Sequence, residues 1–112
     1  MKKLEKMTVR DILMTDEYRR ELRQVMNGEE DSQRRASQQA KAKGMRLQRT
    51  PLDALRDKGA WEPQTMVDCF GCVLGKSLTG FSAREREYIH LVGMTAYKRL
   101  VHRLKEKENK SV

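Results

Sequence analysis

An all-α fold, a small bundle of about four to five helices, is what this 112-residue sequence predicts. Three observations predict it. Leu, Met, Arg, Lys, Gln, Glu and Ala, all good helix formers, are abundant, whereas aromatics are only 5%, too few for an all-β sandwich. Apolar residues recur at steps of three and four, the spacing of one buried helix face. Side chains suited to helix starts precede those stretches, and nothing signals a hairpin or an internal repeat.

The first element is expected between Thr8 and Asn27, as one broken helix or two short ones. Thr8 and Asp11 form a capping-box pair, Val9, Ile12 and Leu13 supply one apolar turn, and Thr15 can cap a second start. Tyr18, Leu22, Val25 and Met26 then keep a helical period until Asn27-Gly28, a stop signal. The polar face mixes Asp16, Glu17, Arg19, Arg20, Glu21 and Arg23, a solvated pattern.

Residues 32–49 differ in kind. Only alanines stand at helical spacing until Met45 and Leu47, so the segment has little to bury. It is either an exposed basic helix as far as Gly44 or a stretch left disordered until an anionic partner orders it.

Thr50-Pro51 opens the next helix, with Leu52 and Leu55 on one side and Gly59 as its end. Trp61 and Pro63 lie in a connector, where Trp61 reads as a lid on the core. Gln64 to Leu74 is apolar on most sides and reads as a central buried helix. Its Gly71 and Gly75 are expected to approach Gly93 and Ala96 of the last helix closely. That last helix, about 82–106, is the strongest signal. Ser82 and Glu85 form a capping box, and Ile89, Val92, Ala96, Tyr97, Leu100, Val101 and Leu104 make one face. A disordered basic tail is expected at about 107–112. The whole chain, 1–112, is read as one domain.

The net charge of +8 is unevenly placed. Ser32 to Leu52 holds six basic residues and no acidic one, and Lys98 to Val112 holds six against two. The stretches Met1 to Asp31 and Asp53 to Tyr97 each carry one net negative charge. Cation is thus segregated from the segments that must pack, the sequence pattern of an anion-facing surface.

Several chemical leads fail on spacing. Cys69-Phe-Gly-Cys72 offers two ligands of the four a zinc site needs, and His90 and His102, about 18 Å apart on one helix, cannot share an ion. The βαβ setting of a thioredoxin-type motif is absent, so both cysteines are read as small buried apolar residues. Gly71 to Ser77 misses a phosphate-binding P-loop by one residue, with Phe70 where its first glycine belongs. The alternative is a helix end with Gly75 near the cap and Lys76 on the dipole. Neither histidine has a paired nucleophile or acid in sequence. Arg34-Arg35-Ala36-Ser37 has the form basophilic kinases recognise, and phosphate there would place close to −2 in the most positive block.

Ser82, Arg84, Glu85, Arg86 and Glu87, followed by Leu91, Gly93 and Thr95, resemble the first two helices of LuxR-type helix-turn-helix domains. The resemblance covers Leu78 to Leu104 and implies a turn at Gly93-Met94. It also implies a recognition helix next, which Lys105 to Val112 is too short and polar to supply.

The sequence therefore points to a small basic protein without catalytic residues, cofactor or metal, binding DNA or RNA mainly through phosphates. The expected contacts are Arg34, Arg35, Lys41, Lys43, Arg46, Arg49, Lys98, Arg99, Arg103 and Lys105. The alternative is a protein-interaction module: a homodimer, or a phage- or mobile-element-type accessory regulator or inhibitor with an acidic-surfaced partner. Its marker would be an apolar patch including Met14, Leu91 and Met94. No apolar stretch nears the roughly 20 residues a membrane span needs, and the opening residues lack a secretory signal's apolar run, so a cytoplasmic setting is expected.

Overall fold

Helix α5 (Ala83–Lys110) is the element on which the others converge: it packs against α2 (Asp16–Ala42), α3 (Pro51–Asp57) and α4 (Pro63–Leu74), while α1 (Val9–Leu13) closes onto α2 and α4. The computed structural model describes residues 6–46, 48–75 and 78–110, with Lys110 described by its backbone alone. No strand occurs among them, so the protein is all-α. Expectations for Leu47, Lys76, Ser77 and residues 111–112 lie outside the described residues.

The helix starts follow local chemistry. Thr8 Oγ1 accepts from Asp11 N–H at 3.1 Å while Asp11 accepts from Thr8 N–H at 3.0 Å. Thr50 and Asp53 repeat this arrangement with Pro51 at the first turn, and so do Ser82 and Glu85. Thr15 caps α2, and Glu62 caps α4 by accepting from Gln64 and Thr65 N–H. Two helices end alike. Gly44 and Gly59, at φ 68 and 71, let Met45 N–H reach Ala40 O and Ala60 N–H reach Leu55 O, a left-handed C-terminal turn that satisfies orphan carbonyls.

The core joins Ile12, Tyr18, Leu22, Leu55, Met66, Phe70, Ile89 and Val92, all essentially inaccessible. Tyr18 and Phe70 stack at 6.4 Å, and the Tyr18 hydroxyl donates to Gly93 O at 2.9 Å.

Four expectations are corrected. First, α2 does not stop at Asn27-Gly28 but continues to Ala42, taking most of the basic 32–49 segment with it. A glycine inside a helix costs about 1 kcal/mol, and side-chain tethers beyond it hold the helix in place. Trp61 Nε1 donates to Glu30 at 2.7 Å, and Gln33 Nε2 donates to Asp53 at 2.6 Å. Second, α5 runs to Lys110, so residues 107–110 are helix where a disordered tail was expected. Third, α4 buries one face only, Met66, Cys69 and Phe70, and leaves Gly71, Cys72, Leu74 and Gly75 exposed. The glycine-to-glycine approach is absent: Gly71 has open space where a side chain would be, and Gly93 instead receives the Phe70 ring. Fourth, Gly93 and Met94 are mid-helix, so the turn implied by the helix-turn-helix resemblance does not exist.

Candidate nucleic-acid interface

The basic residues expected to bind anions fall on two helical arms. Arg34, Arg35 and Lys41 belong to α2, Lys43 is its C-cap, and Arg46 and Arg49 follow in the connector to α3. Lys98, Arg99, Arg103 and Lys105 belong to α5. All of them are exposed. The two arms differ in packing: α2 has no buried residue beyond Met26, whereas the α5 arm keeps Leu100 in the core with Val101 and Leu104 half-buried against it, its cations facing outward.

Pairing removes few of these charges. Arg34 meets Asp31 at 3.4 Å, Arg49 meets Asp57, and Arg103 meets Glu21 at 3.2 Å. Arg35, Lys41, Lys43, Arg46, Lys98, Arg99 and Lys105 make no ion pair among the described residues. Arg103 stands apart from the others. Glu21 is 2% exposed, so this arginine compensates a buried carboxylate, and its role is in the fold.

The two arms lie at opposite ends. Glu21 of α2 faces Arg103 of α5, whereas Glu29 bonds Tyr88, so the helices run antiparallel. Lys41 is then about 30 Å along α2 from Glu21, while Lys105 lies just past Arg103 at the Glu21 end. The two positive blocks therefore do not form one patch. The 56 Å long dimension accommodates that separation.

Sequence reading missed Arg20 and Arg23. With α2 continuous through Gly28, both fall with Arg34 and Lys41 on the side opposite Tyr18, Leu22 and Val25. The eleven- and seven-residue spacings of Arg23, Arg34 and Lys41 hold that signal, but only if the helix is carried through the glycine. Arg23 also helps hold the Glu62 carboxyl below the usual carboxylate range, after the hydrogen bonds from Thr65 and Gln64.

No described aromatic is exposed. Tyr18 and Phe70 are core, Trp61 stacks on Tyr88 at 5.9 Å, and Phe81 lies under Lys58. Burial pushes the Tyr18 and Tyr88 hydroxyls well above the ordinary phenol range, so both stay protonated donors. The described residues thus offer phosphates many donors and bases no fully exposed ring.

Other chemistry is sparse. Cys69 is buried and its thiol is pushed up by burial and then by the neighbouring Cys72 and Asp68, while Cys72 is exposed, contrary to the expectation that both are core. Cys72 is the third residue from the end of α4, on its exposed side. No group of three metal-ligating side chains occurs among the described residues. His90 sets its edge against Phe70, and His102 pairs with Glu106 at 3.1 Å. An open apolar groove of about 910 Å³ runs between α1 and α4, lined by Val9, Leu13, Met14, Val67, Cys72 and Leu74. Met14, 71% exposed, belongs to it; Leu91 and Met94 do not. Among the described residues no helix is long and apolar enough to cross a membrane. No family model matches this chain, and no curated protein or solved structure matches it.

Proposed function

We propose that this is a non-catalytic protein that binds nucleic acid through phosphate contacts made by its two basic helical arms. The observation that carries the reading is the set of exposed lysines and arginines on the outer sides of α2 and α5 that the chain's own carboxylates leave unpaired. Cations so placed gain by releasing counterions from a polyanion, an interaction that ignores sequence. Lys41, in the last turn of α2, also suits the helix dipole. With the described aromatics buried or half-buried in packing contacts, a duplex backbone is a better match than unstacked bases.

The test is an anisotropy titration of labelled duplex and single-stranded DNA and RNA at two salt concentrations. With three phosphates neutralised, log K falls by about 2.7 per tenfold rise in salt on B-form DNA. Undetectable binding at low salt, or affinity indifferent to salt, overturns the proposal.

The groove beside Met14 favours a second reading, a protein partner covering that apolar surface. Under that reading Met14→Glu abolishes capture of the partner and leaves nucleic-acid affinity unchanged; light scattering shows whether the partner is a second copy.

A further inference from the structure

We infer that a single copy of this protein holds two separate nucleic-acid segments at once, one on each arm; the inference rests on the phosphate-binding reading above. Position is the first argument. The antiparallel pairing fixed by Glu21 with Arg103 and Glu29 with Tyr88 carries Arg34 and Lys41 of α2 past one end of the core. Lys98 and Lys105 of α5 flank its other end, beside Leu100 and the Glu21–Arg103 pair.

Direction is the second. On α2, Arg34 and Lys41 lie on the side opposite Tyr18, Leu22 and Val25. On α5, Lys98 and Lys105 lie on the side opposite Val92, Ala96 and Leu100. Those two buried sides are the ones through which α2 and α5 pack together. The cation stripes consequently point away from each other as well as standing at opposite ends. The stretch from Asp53 to Tyr97 carries one net negative charge, and Arg20 and Arg23 extend the α2 stripe along its own outer side, away from the α5 stripe.

A short duplex cannot bend around this. Its persistence length is about 150 base pairs, far more than the few turns either arm covers. A duplex seated on the α2 stripe leaves the α5 stripe facing solvent, free for a second one. The activity that follows is linking: two backbones brought together by one small bivalent protein.

The experiment uses two 20-base-pair duplexes, one carrying a donor fluorophore and one an acceptor, mixed at low salt with the intact protein. Energy transfer should appear at about one protein per two duplexes and vanish when protein is in excess, as separate copies saturate each duplex. Two variants remove one arm each: Arg34→Gln with Arg35→Gln and Lys41→Gln, and Lys98→Gln with Arg99→Gln and Lys105→Gln. Each should still bind a single duplex, weakened by about twofold for the loss of one of two independent sites, and neither should give energy transfer. Circular dichroism checks that both remain helical; a variant that is not is replaced by the matching double substitution.

Binding by the intact protein with no energy transfer at any ratio overturns the inference and leaves the phosphate-binding reading standing. Loss of all duplex binding in either variant also overturns it, because the arms then act on one duplex together. Transfer that persists in both variants overturns it too, since linking then comes from association between copies. If the intact protein binds no duplex at all, both readings fall.

Discussion

Phe70 lies where a side chain on Gly93 would have to be. A Cβ built on Gly93 overlaps the Cγ and Cδ1 atoms of the Phe70 ring and comes within 2.7 Å of Cδ2, and that ring is itself fully buried against Tyr18. The absence of a side chain is thus what lets α4 settle on α5.

Gly93→Ala tests this relationship. Alanine gains about 1 kcal/mol of helix propensity, but overpacking costs about 1–3 kcal/mol because Phe70 can yield only by disturbing Tyr18. The expected result in urea unfolding is net destabilisation, larger for Gly93→Leu, and partly reversed when Phe70→Leu is added.

Gly28 should behave in the opposite way. It lies inside α2 with nothing within 4 Å of an added Cβ, so Gly28→Ala relieves a helix glycine without a clash. Stability should rise by about 0.5–1 kcal/mol, seen as a higher thermal midpoint. Gly59→Ala should lower it, since the backbone there has φ 71.

Tyr18→Phe removes only the hydroxyl that donates to Gly93 O. Because that carbonyl belongs to a helix, the loss should be that of one ordinary hydrogen bond, about 0.5–1.5 kcal/mol in urea unfolding. The fold and the α4 contacts should be unchanged by circular dichroism.

Acid sensitivity should centre on Glu85. Lys58 Nζ donates to both of its oxygens, at 2.6 and 2.7 Å, and to Gly80 O at 3.0 Å. The Lys58 hydrogen bonds first, and the Ser82 N–H next, hold this carboxyl below the usual carboxylate range. A depressed native value means that ionised Glu85 favours the folded chain. That contribution is complete above the unfolded-state value, about pH 4.3, and is lost as pH falls through the native one. Asp53, lowered by Gln33 and Thr50, adds in the same direction. Glu85→Gln should therefore flatten the decline in thermal midpoint below about pH 4.3.

The two cysteines should separate in a labelling experiment. Exposed Cys72 should take up iodoacetamide in the native protein at mildly alkaline pH. Cys69, buried and with its thiol pushed up, should react only on unfolding. Intact mass should show one adduct before denaturant and two after it.

What could be read from sequence was what neighbours in sequence determine. Thr8 with Asp11, Thr15, Thr50 with Pro51, and Ser82 with Glu85 all cap as their spacing predicts, because a cap is settled within four residues. The apolar face of α5 was legible for the same reason. Gly28 misled because its helix is held by partners far along the chain, Trp61 for Glu30 and Asp53 for Gln33. Gly71 and Cys72 misled because an α4 apolar on most sides gives no hint of which side finds a partner. For the cations, sequence identified the residues but not their arrangement. That Lys41 and Lys105 end up at opposite ends follows from antiparallel pairing, which no local pattern encodes.

Trp61, the chain's single tryptophan, bonds Glu30 through its indole and stacks on Tyr88, so three segments distant in sequence meet at one chromophore. Its emission is therefore a native optical gauge of the seam that keeps α2 straight past Gly28. Fraying of that seam would expose the ring to water and shift its colour even while the rest of the bundle stayed intact, with no label attached.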